Sequence, residues 1–314
     1  MDRSTFLHNH LSMYLENREI VERPSFRRYS WVSSPAQQVW QERLNRIRFA
    51  LFHMEVHAVS RGMMPVALLS FNGEELSRLS SLCLQNQVAF VLAHERGRQH
   101  FDGCAAVGSF RNLQNYETAV RNADIHSVAD LLGYPDCCYQ FIKHVTECYA
   151  LDDLTLPSYY NSLQMDTPDA LNPEKYLLTS HSEINFFWRA LGLSLTPMFP
   201  CSLNCCSAQA YAIKLLEIGR EIGYHAEIAW LTEALRWSLS WTALHGTAEL
   251  KLPIIKVIYS TDFSTEKVQI ELPGSSFPDE GAYGINFPFK QAPRKALSET
   301  KAVQNAIVHL SQST

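Results

Sequence analysis

Two short cysteine-containing segments constrain this chain more than any other feature. The first reads Gly-Tyr-Pro-Asp-Cys-Cys and ends at Cys138, and the second reads Pro-Cys-Ser-Leu-Asn-Cys-Cys and ends at Cys206. Pro135 is suited to the first position of a helix and Asn204 to a helix N-cap, so both segments are predicted to open a helix. Free N–H groups and the helix dipole stabilise a thiolate there, and the thiolate is the form that binds metals. Each pair thus marks a candidate metal site.

Three kinds of site fit the paired cysteines. A structural zinc ion takes four thiolates in a tetrahedron, and an iron–sulfur cluster takes three or four. A metal-free thiol enzyme would need a base nearby, for which His144 or Asp136 could serve. Adjacent residues of a helix point about 100° apart, which favours a cluster of several atoms over a single ion. We therefore expect an iron–sulfur cluster, with zinc as the alternative.

The cysteine spacing matches neither of two well-known metal motifs. Neither segment contains the C-x-x-C pair of zinc ribbons. The spacing from Cys201 to Cys205 is that of the start of the radical-SAM motif, but position 208, where that motif needs a third cysteine, is Ala208. A radical-SAM function is therefore excluded. Cys148 lies further along the helix that begins near Pro135, about 15 Å from Cys138 along its axis, so we interpret it as structural.

The two segments resemble those of an uncharacterised family, a domain of unknown function known mainly from archaea. That family pairs a G-Y-P-x-C-C segment with a later P-C-S-x-x-C segment, and the resemblance covers residues 125–290. It implies that Cys137, Cys138, Cys201 and Cys205 form the common ligand set. Cys206 would then be an addition. The resemblance implies no activity.

Composition narrows the class of protein. The 314 residues are 46% hydrophobic and carry a net charge of −5, which suits a chain with a full core and argues against a nucleic-acid partner. Neither a signal peptide nor a membrane-spanning run is visible, so we expect a cytoplasmic protein without a membrane partner. In that reducing compartment cysteines rarely form structural disulfides. Cys83 and Cys104, in apolar surroundings, are predicted to be small buried side chains.

The order of predicted elements indicates an α/β or α+β fold, rich in helices, with a small mixed sheet covered by helices. A helix is predicted from Ser34-Pro35 through Leu51. It is followed by a strand, a helix and two strands, at 66–71, 73–85, 88–93 and 103–107. A strand–helix–strand order is typical of a parallel or mixed sheet. Helices at 207–222 and 226–238 precede a pair of strands at 253–259 and 268–272, and 295–310 is predicted to be a closing helix.

We expect one large domain over residues 1–314, with a possible subdivision into 1–151 and 175–314 around a loop-rich connection at 152–174. The favoured function is a metalloenzyme that acts on a small molecule through an iron–sulfur cluster, by sulfur transfer or Lewis-acid chemistry. In it Cys206 would carry sulfur, His144 would act as a base, and Arg96 would orient the substrate. The alternatives are a zinc-stapled interaction protein without catalysis and a metal-free thiol enzyme. Oligomeric state and substrate do not follow from the sequence.

Overall fold

The computed structural model describes residues 27–71, 75–96, 102–149, 154–163, 175–177, 180–261 and 267–275. Its helices, in chain order, are α1 (Ser34–Ser60), α2 (Glu75–Gln85), α3 (Phe110–Arg121), α4 (Ile125–Leu131), α5 (Asp136–Tyr149), α6 (Thr155–Leu163), α7 (Cys206–Glu221) and α8 (His225–Leu235). Two short 3₁₀ helices span Ser182–Ile184 and Phe186–Leu191. None of the described helices is both long and apolar enough to cross a membrane.

The strands form two separate sheets. They are β1 (Arg27–Trp31), β2 (Val66–Phe71), β3 (Ala89–Arg96), β4 (Asp102–Gly108), β5 (Lys175–Leu177), β6 (Leu239–Leu244), β7 (Thr247–Lys251), β8 (Ile255–Ser260) and β9 (Val268–Leu272). One sheet has the order β1-β8-β7-β6-β9-β5, and the other has the order β2-β4-β3. The β5–β9 pair is parallel, so the larger sheet is mixed. The helix-rich α+β class that the sequence predicts is confirmed.

The smaller sheet differs from the parallel arrangement that its strand–helix–strand order predicts. β4 lies between β2 and β3 and pairs antiparallel with both. β2 and β3 therefore run in the same direction but do not contact each other as neighbours. The next strand in the chain takes the central position, because a short connection is enough to form an antiparallel pair with β3.

The larger sheet contains a hairpin that the sequence analysis misses. β6 and β7 pair antiparallel through the two-residue turn His245-Gly246, whose φ angles are 49° and 72°. Positive φ at both central residues is the mark of the tight turns that fit the twist of a hairpin. The predicted partners β8 and β9 are not neighbours: β7 and β6 lie between them. The predicted helix at 226–238 ends three residues early, at Leu235, before β6 begins.

Helix α1 forms the centre of the main core. The hydroxyl of Ser33 accepts a hydrogen bond from the N–H of Ala36 at 3.1 Å and caps its first turn. One face of the helix is buried against α7 and α8, and includes Trp40, Ile47 and Met54. The ring of Trp40 lies 4.7 Å from that of Trp237 in an edge-to-face arrangement. Each fully buried side chain of this size stabilises the fold by about 1.5–3 kcal/mol relative to an exposed one.

The segment predicted to be a loop-rich connection contains a helix. α6 occupies part of 152–174, and its Leu154 neighbour packs against Ile142 and Val145 of α5. The stretch 152–174 contains three prolines, which is typical of a loop. One of them, Pro157, lies in the first turn of α6, where a helix tolerates proline. The subdivision of the chain at this point stays a prediction. The closing helix at 295–310 lies outside the described residues.

Candidate metal centre

Four cysteine sulfurs from the two segments lie together at the junction of α5 and α7. The Sγ of Cys137 lies 4.0 Å from that of Cys138 and 3.7 Å from that of Cys205, and the Sγ atoms of Cys138 and Cys205 are also 3.7 Å apart. Cys201 completes the set, and all four Sγ atoms lie within 4.8 Å of one another. These are the four thiols that the sequence predicts as one ligand set. They could bind a metal.

The spacing of the sulfurs bears on the size of the group that could fit between them. With zinc–sulfur bonds of ~2.3 Å, the sulfurs of a tetrahedral site lie about 3.8 Å apart. Among Cys137, Cys138 and Cys205 the Sγ separations are 3.7, 3.7 and 4.0 Å. In an iron–sulfur cluster the thiolates bind different irons, so the body of the cluster separates them. Thiols at these separations could bind a metal.

Helix geometry does not keep Cys137 and Cys138 apart, although it separates their directions by about 100°. Their Sγ atoms approach to 4.0 Å because both residues lie in the first turn of α5 and can turn their side chains toward the same point. The expectation that this helix geometry favours a cluster over a single ion stays a prediction.

The tight turn between α4 and α5 sets the direction in which the first cysteine segment runs. The N–H of Gly133 donates to the Asp130 carbonyl at 3.0 Å, and the N–H of Tyr134 donates to the Ala129 carbonyl at 3.0 Å. This pair of bonds is the Schellman arrangement that ends a helix, and it needs the left-handed backbone that Gly133 adopts at φ 72°. The carbonyl of Pro135 then accepts the Cys138 N–H. The Gly-Tyr-Pro part of the motif thus stops one helix and starts the next.

In the second segment the cysteine itself caps the helix. Cys205 is the N-cap of α7, and its Sγ accepts a hydrogen bond from the N–H of Ala208 at 3.4 Å. The prediction that Asn204 caps this helix is wrong by one residue. A cysteine replaces the usual hydroxyl or amide cap because its sulfur must also reach the other three thiols. The bond places partial positive charge against the sulfur and favours its thiolate form.

Helix α6 holds the loop that carries Cys201, a role that the sequence analysis does not find. The Ser158 hydroxyl donates to the Pro200 carbonyl at 2.6 Å, and the amide nitrogen of Asn161 donates to the Cys201 carbonyl at 2.8 Å. The Ser162 hydroxyl accepts the N–H of Leu203 at 2.8 Å. These three polar residues recur at helical spacing on one face. That spacing is the only signal in the sequence that could have indicated their role.

Arg189 holds the approach to the same loop. Its guanidinium donates to the backbone carbonyls of Thr196, Met198 and Pro197 at 3.0, 2.8 and 3.3 Å, and its carbon Cζ lies 5.4 Å from the ring centre of Phe199. The residue is only 8% exposed. A planar group with five N–H donors is suited to binding several carbonyls at once. The chain is therefore fixed on both sides of Pro200.

Hydrogen bonding among the sulfurs divides the protons unequally when no metal is bound. Bonds donated by the Cys138 and Cys201 thiols lower the pKa of Cys205 to about 2. Hydrogen bonds to Cys201 and Cys205, together with burial, raise the pKa of Cys138 well above its ordinary value. One thiolate stabilised by neighbouring thiols is the expected state, because several negative charges at this distance repel one another. A cation between the sulfurs would relieve this repulsion, and its binding would release protons.

The other candidate residues fall outside this set. His144 is exposed and lies two turns along α5, about 10 Å along the axis from Cys137. Cys206 is exposed in the first turn of α7, and its Sγ contacts the Asn204 carbonyl at 3.8 Å. Arg96 ends β3, but its side chain lies outside the described part of the structure, as does that of Cys148. The catalytic roles of Cys206, His144 and Arg96 stay predictions. Cys83 and Cys104 are buried as predicted, at 2% and 4% exposure.

His53 and His57 of α1 lie four residues apart, a spacing at which paired histidines of a helix can bind a metal. The Nδ1 of His53 lies 2.8 Å from the Tyr224 hydroxyl, and burial lowers the pKa of His53 to about 4. Burial also raises the pKa of the neighbouring Glu55 to about 8. The positive charge of Arg189 acts in the opposite direction but is the smaller effect. None of these side chains belongs to the four-sulfur group.

Comparison with known proteins yields no significant match to a family model, a curated protein or a solved structure.

Gly133→Ala tests whether the turn between α4 and α5 positions Cys137 and Cys138. A side chain at this left-handed position costs about 1–2 kcal/mol, and its Cβ would lie 3.1 Å from the Cβ of Met64. The matched control is Gly62→Ala, which has the same φ of 72° but open space around it. We expect Gly133→Ala to lower the free energy of unfolding more than the control, measured by chemical denaturation, and to weaken metal binding. Equal losses and unchanged metal binding would contradict this role.

Ser162→Ala tests whether the hydrogen bonds from α6 position the loop that carries Cys201. The variant leaves the buried N–H of Leu203 without its acceptor, so we expect the free energy of unfolding to fall by about 1–3 kcal/mol and metal affinity to fall with it. Ser81→Ala is the control. The hydroxyls of Ser162 and Ser81 each donate to the carbonyl four residues earlier in their helix, but Ser81 is exposed. Its effect should stay within about 0.5 kcal/mol. Denaturation and chelator competition measure both quantities. An unchanged metal affinity in Ser162→Ala would separate α6 from the site.

Proposed function

We propose that Cys137, Cys138, Cys201 and Cys205 bind one zinc ion that joins the start of α5 to the start of α7. The observation that carries the proposal is the set of Sγ separations near 3.8 Å, the edge of a tetrahedral zinc–thiolate site. The four sulfurs would fill the coordination sphere. Structural zinc sites have four protein ligands, whereas catalytic sites keep a position open for water or substrate.

The position of the site in the fold supports a stapling role. Cys138 and Cys205 belong to the main hydrophobic core and are 0% and 6% exposed. They are 67 residues apart in the chain, so an ion between them closes a long loop. Metal binding that occurs only in the folded chain adds its binding free energy to folding. In this proposal the protein is a zinc-stapled module without catalysis at the metal.

An iron–sulfur enzyme is the second candidate. The observation in its favour is Cys206, a fifth cysteine that is exposed directly beside Cys205 and outside the four-sulfur group. In an enzyme that transfers sulfur, a cysteine at this place could carry the sulfur between the cluster and a small-molecule substrate. This candidate requires the four ligand sulfurs to move apart to admit several irons.

Metal analysis of anaerobically purified protein, with a visible spectrum, tests the proposal. We expect a colourless protein with one zinc per chain, and loss of that zinc in Cys138→Ser and Cys205→Ser. Chelation should lower Tm by about 10 °C or more, because a structural ion contributes several kcal/mol to folding. Cys83→Ser is the matched control, since Cys83 is equally buried but outside the set. It should keep its zinc.

Two outcomes would overturn the zinc proposal. A brown protein that contains several irons and acid-labile sulfide would favour the second candidate. A protein that binds neither metal would leave the metal-free thiol site, in which Cys205 is the ionised cysteine.

A further inference from the structure

The four sulfurs of the proposed zinc site differ in their access to solvent. Cys138 is 0% exposed and Cys205 is 6% exposed, and Cys201 is half-buried. Cys137 is exposed. One ligand therefore faces solvent while the ligand next to it in the chain is part of the core.

The first turn of α5 produces this difference. Successive helical residues point about 100° apart, so Cys138 faces the core when Cys137 faces outward. The residues one before and three after Cys137, Asp136 and Gln140, are exposed on the same side and hydrogen-bond to each other at 3.3 Å. The side chain of Cys137 lies on the solvent side of the site and its sulfur still reaches the other three.

Zinc coordination would keep that exposed sulfur reactive. A thiol that coordinates zinc is deprotonated outright, and the thiolate is the nucleophilic form. Four thiolates carry more negative charge than one zinc ion neutralises, so electron density remains on the sulfurs. At Cys205 that density is directed toward the N–H of Ala208 and is buried. Cys137, by contrast, is an exposed residue.

We propose that Cys137 is the reactive ligand of the site, a modification site for small alkylating electrophiles, while the other three ligands retain the metal. This inference rests on the zinc proposal and adds to it a chemical activity of the same site. It distinguishes Cys137 from a purely structural ligand, which the metal and the protein would both shield.

The modification is a simple displacement at carbon. A lone pair of the Cys137 sulfur forms a bond to the electrophilic carbon, and the bond from that carbon to its leaving group breaks. The leaving group departs with the electron pair. The thiolate becomes a neutral thioether, and the site loses one negative charge. The step needs neither an oxidant nor a reductant.

Limited alkylation of the zinc-loaded full chain with iodoacetamide tests the inference. Peptide mass spectrometry follows each cysteine separately, and the zinc content of the same samples is measured. We expect Cys137 to be modified at least about tenfold faster than Cys138, Cys201 or Cys205, with zinc retained after one equivalent at that residue. Cys206 provides an internal reference for an exposed thiol outside the set. After chelation in a denaturant all four ligand cysteines should react at similar rates, because neither the metal nor burial then protects them.

Controls keep the possible failures apart. Cys206→Ser should leave the labelling of Cys137 unchanged, which shows that competition for reagent from this exposed thiol does not set the rate at Cys137. A zinc-loaded protein in which Cys206 reacts while Cys137 is as protected as Cys138 would overturn this inference and leave the zinc site intact. A protein that contains no zinc would overturn the site and the inference together.

Discussion

The meeting of two helix starts at one point is the constraint on which the site depends. Thiols from α5 and α7 approach to 3.7 Å although 67 residues separate Cys138 from Cys205. Local structure positions each segment. A glycine turn ends α4 and leads into α5, and polar side chains of α6 hydrogen-bond to the loop before α7. Sulfurs at this distance cannot all ionise without a cation between them, and together they could bind a metal.

The site joins the core to the surface in a single group of atoms. Two sulfurs lie inside the main hydrophobic core, and one faces solvent. The buried members explain how an ion could stabilise the fold, since they link packed helices. The exposed member explains how the same ion could take part in chemistry with molecules in solution. A stapling role and a reactive thiolate are therefore compatible, because different cysteines supply them.

The accuracy of sequence reasoning depends on how local the information is. Helix α1 follows a periodic apolar face and has a serine cap, and both signals are local. The β6–β7 hairpin is missed because its first strand follows a helix closely and its turn uses His245, which is not a usual residue for positive φ. The central place of β4 is also missed, because strand order results from packing rather than from the strand's own sequence. The hydrogen bonds from α6 to the loop that carries Cys201 are missed because the serines and the asparagine that make them lie in a segment whose composition is typical of a loop.

The amino-acid sequence indicates which four cysteines lie together and that three of them, Cys137, Cys138 and Cys205, stand at helix starts. Proline, glycine and paired cysteines are local signals, and the backbone responds to them locally. The distances between the sulfurs, the cysteine that caps α7 and the exposure of Cys137 are not visible in the sequence. Those properties depend on how α5, α6 and the loop before α7 pack, and contacts between residues distant in the chain set that packing.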